Sequence, residues 1–358
     1  MNVCAVIIAG GIGTRFWPLS RKQKPKQFLP IVSDKTMVEE TIQRISSVLS
    51  PSKIHTIANQ KQTQTLKQLL PEIPSENFLV EPQGKNTAPC LLLATGHIYL
   101  KDPESLIAVL PADHLIKDEA LFLEKLEAGV LAADKSQSLI TFGIPPTHPS
   151  TGYGYIRFSK NNPQSFSGED FFRVQEFKEK PDQNTARKFL KKGTYFWNSG
   201  MFLWKANVFS ENLRKYAPEM FSFWEKLLDA LKYDDQSEIK TIFNDLPSIS
   251  IDYALMEKTE DVLMCEGDFG WSDVGSWSSL LEIWKKDRDH NAIRGESITI
   301  DTHHCLVHNP DKLTALIGLE DLVIVNTDDA LLICRKNMDQ KVKQVVNALQ
   351  KKGPKKYL

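Results

Sequence analysis

The sequence predicts an α/β fold, a sheet of parallel strands built from strand–helix–strand units, followed by a small all-β region and a terminal helix. Short apolar runs alternate with helix-period segments through the first two thirds of the chain, the pattern of right-handed βαβ crossovers. Past about residue 285 the texture changes to short β-type runs separated by polar turns, closed by the basic helical segment NMDQKVKQVVNALQKKG. With 358 residues the chain has room for one large domain and a smaller one, which places a domain over 1–285 and a second over 286–358.

The elements follow in order. VCAVIIAG (3–10) reads as a buried strand ending in glycine. TMVEETIQRISSVL (36–49) has helical spacing, with Thr36 as N-cap and Glu39 three residues on. KIHTIAN is strand-like, QTQTLKQLL helical, NFLVEP strand-like and TAPCLLLATGHIYL helical, and SLIAVLPADH (105–114) is a strand. Ligands of such sheets lie beyond the carboxyl ends of the strands, so weight falls on the polar segments 10–28, 81–88, 111–114 and 179–181. The late β runs read as stacked short strands, with packing or subunit contact as their default role.

Composition narrows the function. The 41% hydrophobic and 25% charged content is that of an ordinary globular protein, and a net charge of -1 argues against a general nucleic-acid binder. The five cysteines (Cys4, Cys90, Cys265, Cys305, Cys334) are spread, odd in number and never in a C-x-x-C pair, so they read as reduced thiols. The opening MNVCAVIIAGG lacks a basic n-region and a cleavage site, and no apolar run approaches the ~18 residues that span a bilayer. A cytoplasmic protein with neither membrane nor nucleic-acid partner is expected.

The stretch AGGIGTRFWPLSRKQKPKQF (9–28) combines Gly10, Gly11 and Gly13 with five cations, Arg15, Arg21, Lys22, Lys24 and Lys26. It fits neither G-x-G-x-x-G nor the Walker loop, and Gly84-Lys85 is followed by Asn86, which also fails the latter. Two readings stay open: glycines that let backbone N–H groups approach an anion, or a glycine turn leading into a solvated basic loop. In LPADH (110–114), Asp113 at a strand's carboxyl end suits a hard cation such as Mg²⁺, or is a polar strand end. Asp273 in GWSDVGSW is a turn-former or the second carboxylate. In FKEKPD, Glu179 and Lys180 could hold sugar hydroxyls and a phosphate, or form an exposed charged loop. Asn198 in YFWNSGMFLW is an amide in apolar surroundings and needs hydrogen-bond partners. TGYGYI (151–156), with Gly154, places glycines beside tyrosines, as a flat sugar surface would. THHCLVH (302–308), read as a strand, puts His304 and His308 on one face and His303 with Cys305 on the other, a poor metal site. No serine or cysteine nucleophile has a partner pattern. A sugar phosphate needs none, because it is already an anion near neutral pH.

Together these motifs resemble, in order, those of the mannose-1-phosphate guanylyltransferases (GDP-mannose pyrophosphorylases). AGGIGTRFWPLSRKQKPKQF, EPQGKNTAP, LPADH, FKEKP, NSGMF, IDYALMEK and GWSDVGSW carry the resemblance over residues 3 to about 280. It implies a Rossmann-like nucleotidyltransferase fold with a mixed, mostly parallel sheet, and a C-terminal left-handed β-helix-like region. It also implies the reaction of GTP with mannose 1-phosphate to give GDP-mannose and pyrophosphate.

By motif position, Gly10, Gly11, Gly13, Arg15 and Lys26 would surround the triphosphate, Thr14, Pro111 and Asp113 would also bind the nucleotide, and Arg15, Lys26 and Asp113 would be the catalytic groups. Glu81, Gln83, Asn86, Thr87 and Ala88 would lie near guanine and ribose. Asp113 and Asp273 would hold Mg²⁺, and Gly154, Glu179, Lys180 and Asn198, with Asp273, the sugar phosphate. Arg21, Lys22 and Lys24 would shape the field from solvent. Lys85 stands where the family usually has arginine, and Phe16 where leucine is common. A homodimer and a single activity, without a fused isomerase domain, are expected. The alternatives are another sugar 1-phosphate or nucleotide on the same fold, or a catalytically silent regulatory subunit. The presence of Arg15, Lys26, Asp113 and Asp273 argues against the silent subunit.

Overall fold

The computed structural model describes residues 1–358, which form two compact units. The first comprises Met1–Gly10, Ile42–Ala112 and Ile116–Trp271, the second Gly11–Thr41, Asp113–Leu115 and Ser272–Leu358.

A ten-stranded sheet organises the first unit. Its strands are β1 (Val3–Ile8), β2 (Ile54–Asn59), β3 (Phe78–Glu81) and β4 (Leu106–Pro111), then, after the two-residue β5 (Leu115–Ile116) outside this sheet, β6 (Leu139–Ile144), β7 (Tyr155–Phe158), β8 (Gln164–Phe166), β9 (Glu169–Lys178), β10 (Tyr195–Lys205) and β11 (Val262–Glu266). The spatial order is β3-β2-β1-β4-β10-β6-β11-β9-β7, with β8 on β9. The first four strands pair in parallel, as do β6 and β11, whereas β10 runs antiparallel to both β4 and β6. β1 (VCAVII) and β4 (LIAVLP) are continuous apolar runs, and β2 (IHTIAN) is buried through Ala58 despite its His55 and Thr56, because parallel strands covered on both faces have no wet side.

The crossovers obey the sequence signals. Thr36 and Glu39 form the expected capping box ahead of α1 (Met37–Ile45): the Thr36 N–H donates to Glu39 Oε2 at 2.9 Å. The helix stops at Ile45, short of residue 49, and the chain continues in turns. α2 spans Gln60–Leu69. α3 (Thr87–Tyr99) is buried almost all round, as its apolar sequence requires. The loops after β1, β3 and β4 therefore leave the sheet at strand carboxyl ends.

In β10 the register with β6 shifts between Asn198 and Phe202. This bulge, with Gly200 at φ 71°, lets Asn198 depart from the regular alternation.

The second unit buries Phe16, Trp17, Leu29 and Ile31 of the cationic loop with Trp277, Trp284, Leu306, Val323, Val325 and Val346. Its late strands stack as a β-helix does. Ala292–Arg294, Leu306–His308 and Leu322–Asn326 pair in parallel succession, and Ser297–Ile300 pairs in parallel with Thr314–Ile317. The terminal helix is Val342–Lys352. THHCLVH is not one strand. His304 has φ 56° and only Leu306–His308 is extended in the sheet, so the face assignment by alternation fails at a coil corner.

Candidate active site

In the second unit a single ammonium gathers two segments distant in sequence. Lys26 is 4% exposed and donates to Asp113 Oδ2 at 2.8 Å, to the Asp113 carbonyl at 3.0 Å and to the Asp273 carbonyl at 2.6 Å. Arg15 Nη1 donates to the Gly275 carbonyl at 2.9 Å. A Cβ on Gly275 would lie 2.8 Å from Asp273 Oδ2 and 3.2 Å from Arg15 Nη1, so this corner holds a guanidinium and a carboxylate only because residue 275 has no side chain.

Gly13 is required twice over. Its φ is 67°, and a Cβ there would collide with Lys26 Cβ, while the Lys26 N–H donates to the Ile12 carbonyl at 3.2 Å. Thr14 opens the short turn Thr14–Phe16 behind it.

Burial pushes the Asp113 carboxyl up, but the Lys26 ammonium, with His114, outweighs this and holds it below the usual carboxylate range. Asp113 is thus an anion at neutral pH. Arg21 is tied to Asp329 at 2.8 Å and to the Pro18 carbonyl at 2.7 Å, while Lys22 and Lys24 are exposed.

The first unit carries the remaining residues in two groups. Around Glu81, a Cβ on Gly10 would lie 3.6 Å and one on Gly84 3.7 Å from Oε1. Glu81 is 7% exposed, and burial pushes its pKa up to about 7. Pro111 pairs with Ile8 across β4 and β1, and Gln83 is exposed. Asn86, at φ 71°, caps α3 by accepting from the Thr87 N–H. The Ala88 N–H donates to the Ile249 carbonyl at 3.1 Å, and the Thr87 hydroxyl accepts from the Ile251 N–H at 2.8 Å. Thr87 and Ala88 therefore spend polar groups on fixing the segment 249–251. Lys85 has a comparable duty: its ammonium donates to the Asn244 and Leu246 carbonyls at the carboxyl end of the helix Gln236–Asp245, where a cation is favoured.

The second group centres on Glu179. A Cβ on Gly154 would collide with Glu179 Oε2, so glycine is what admits that carboxylate. Glu179 is 5% exposed and ion-paired to Lys180, and the Glu179 N–H donates to Glu257 Oε1 at 2.8 Å. Asn198 is oriented by its network. Its N–H donates to the Gly154 carbonyl at 2.8 Å, its Oδ1 accepts from the Gly200 N–H at 3.1 Å, and its Nδ2 donates to Asp252 Oδ1 at 2.9 Å. That network uses one of the two Nδ2 hydrogens. Tyr153 packs against Trp197 and Trp271, with centroids at 4.9 and 5.3 Å, an aromatic wall beside Gly154.

Asp252 and Glu257 are partners that the sequence motifs alone do not single out. Both lie in IDYALMEK, where Asp252–Met256 forms a π-helical turn, a feature frequent at functional sites. Burial, then the charge of Glu179, pushes the Asp252 carboxyl up to about 6. Two acids five positions apart in an otherwise apolar stretch are the available signal.

No cluster of three or more His, Cys, Asp or Glu side chains is present; the carboxylates of this corner are that of Asp113, on Lys26, and that of Asp273, beside Gly275. That set suits Mg²⁺, which takes one or two carboxylates and fills its octahedron with phosphate oxygens and water.

Residues 4–290 match the nucleotidyl transferase family model, and residues 295–349 match the mannose-phosphate isomerase/GMP-like β-helix domain. The alginate biosynthesis protein AlgA of Pseudomonas aeruginosa is 40% identical over 356 residues, 97% of this chain and 72% of that protein. Mannose-1-phosphate guanylyltransferase 2 of Escherichia coli O157:H7 is 39% identical over 365 residues, 99% of this chain and 75% of that protein. Among solved structures, a Thermus thermophilus protein described as a mannose-1-phosphate geranyltransferase superposes with a TM-score of 0.88 at 32% identity, covering 98% of this chain and 100% of that one.

Proposed function

The chain belongs to the nucleotidyl transferase family, among relatives named mannose-1-phosphate guanylyltransferase, and on that premise we propose that it forms GDP-mannose and pyrophosphate from GTP and mannose 1-phosphate. The observation that carries the reading is the convergence of Arg15, Lys26, Asp113 and Asp273 on one corner of the second unit.

A phosphate oxygen of the sugar phosphate attacks the α-phosphorus of GTP. The new P–O bond forms as the α–β phosphoanhydride breaks, and pyrophosphate leaves with the electron pair. The attacking group is already anionic, so no residue need remove a proton, and the work is positioning and offsetting charge. Arg15 and Lys26 supply positive charge to the α-phosphate and to the departing pyrophosphate. Lys26 would exchange its bond to the Asp113 carboxylate for one to a phosphate oxygen, which frees that carboxylate. Asp113 and Asp273 would then hold Mg²⁺, which when bound neutralises charge on the phosphates. Glu81 accepts from the donor edge of guanine, and Gly10, Gly11, Gly13 and Thr14 bring backbone groups to the triphosphate. Glu179 and Asn198 bind sugar hydroxyls, and Lys180 the sugar phosphate.

The test is pyrophosphate release by the purified protein with Mg²⁺, mannose 1-phosphate and each nucleoside triphosphate in turn. Release should be fastest with GTP, and should fall when glucose 1-phosphate replaces mannose 1-phosphate. No release with any nucleotide overturns the reading.

A further inference from the structure

The segment 11–34 carries both Arg15 and Lys26, yet it contains only two short helical turns, Thr14–Phe16 and Lys26–Phe28. So long a loop leaves many backbone carbonyls without partners of its own, and each must find a donor elsewhere. In the second unit the donors come from residues far along the chain. Trp277 Nε1 donates to the Trp17 carbonyl at 3.1 Å, and Trp284 Nε1 to the Ile31 carbonyl at 2.7 Å. Arg294, on the strand Ala292–Arg294, donates through Nη1 to the Pro30 carbonyl at 3.0 Å and through Nη2 to the Val32 carbonyl at 2.7 Å. Its guanidinium lies over the Trp284 ring, 4.3 Å from the centroid. Four donors thus grip four carbonyls of the loop, two of them from a β-helix strand.

These grips flank the cations. Phe16, next to Arg15, packs on Trp277 with centroids 5.1 Å apart, and the Leu29 N–H, just before the gripped Pro30–Val32, returns to the Lys26 carbonyl at 2.9 Å. Sequence alone assigns the C-terminal region packing or subunit contact by default. We propose instead that Arg294 and Trp284 are positioning residues, through which the C-terminal strands hold the loop so that Arg15 and Lys26 meet the triphosphate. This rests on the guanylyltransferase reading of those two cations. Neither residue touches a substrate; each acts through the loop backbone.

The experiment compares Arg294→Ala, Arg294→Lys, Trp284→Phe and Lys26→Ala with the wild-type chain. Turnover, KM for GTP and KM for mannose 1-phosphate are measured beside thermal unfolding. Trp284→Phe keeps a ring for the core and removes the N–H. Arg294→Ala and Trp284→Phe should lower kcat at least about tenfold and raise KM for GTP, since displacement of a reacting group by ~1 Å costs about a hundredfold. KM for mannose 1-phosphate should stay within about twofold, because Glu179 and Asn198 belong to the other unit. Lysine at 294 should not rescue, since one ammonium does not supply two planar donors.

Wild-type turnover per folded molecule in both variants overturns the proposal. So does an equal rise in both KM values, which is what general loosening would give. If Arg294→Ala does not fold, Trp284→Phe decides alone. Lys26→Ala separates the two levels: wild-type turnover there overturns the role of the cations themselves, whereas its loss beside unimpaired position 294 and 284 variants overturns only the positioning role.

Discussion

Glu81 is the side chain whose chemistry is most open to test by pH. Folding pushes its pKa from the ordinary carboxyl range up to about 7, so the free protein is half protonated at neutrality. Guanine presents N–H donors, which a carboxylate accepts and a carboxylic acid does not match. Binding GTP should therefore require the ionised form. Affinity should be full above about pH 7 and fall towards tenfold per unit below it. Titration calorimetry from about pH 5.5 to about pH 8.5, spanning the transition on both sides, checks this against Glu81→Gln, whose affinity should show a flatter profile. An identical profile in both proteins would remove Glu81 from the base. The site's charges are legible one by one in the sequence, because LPADH, FKEKP and the glycine loop place titratable residues where strands end. Asp252 and Glu257 are not, because their importance lies in contacts with Asn198 and Glu179, which no local pattern encodes.

At the scale of elements, the approach of the residue leading into strand β7 to the end of β9 is the feature a single methyl group would disturb. Gly154→Ala drives a Cβ into Glu179 Oε2 and to 3.3 Å from Asn198 Cβ, so the carboxylate must move. KM for mannose 1-phosphate should rise at least about tenfold, with KM for GTP little changed, as expected when a binding group shifts by ~1 Å. Steady-state kinetics with each substrate varied decides it, and an unchanged sugar-phosphate KM would mean that Glu179 does not hold the sugar. The strands and helices of the parallel block can be read from periodicity and capping because both are local. The insertion of β10 between β4 and β6 cannot, since antiparallel pairing there joins segments far apart in the chain. Nor can the membership of the cationic loop in the second unit, which depends on indole donors 260 and 253 positions away.

For the molecule as a whole, opposing sets of buried titratable groups decide how it meets acid. Burial pushes His55 and His308 down to about 4, with His97 and Lys101 adding to the effect on His55 and Arg294 to that on His308; His97 is lowered as well. His55 Nδ1, His97 Nε2 and His308 Nδ1 are buried without a hydrogen-bond partner, so none of these rings has an acceptor waiting for a new proton there. Their neutral forms belong to the fold. The stability this represents is present above the unfolded value near 6.5 and is lost as pH falls from there towards about 4. Glu81 and Asp252 act the other way. Raised to about 7 and about 6, they are protonated in the folded chain before the unfolded one, so acid relieves their burial. Between about pH 6 and 5 the unfolded chain holds roughly two protons on His55 and His308 that the folded chain lacks, and the folded chain roughly two on Glu81 and Asp252 that the unfolded one lacks, so these four groups nearly cancel. Stability contributed by these four groups should therefore change little in this window, where His55 and His308 alone would cost about 2.7 kcal/mol per pH unit. Glu81→Gln removes one compensating proton and should add a loss of about 1.4 kcal/mol per pH unit, as measured by urea unfolding at several pH values; a slope unchanged by the substitution would show that Glu81 is not titrating against the histidines.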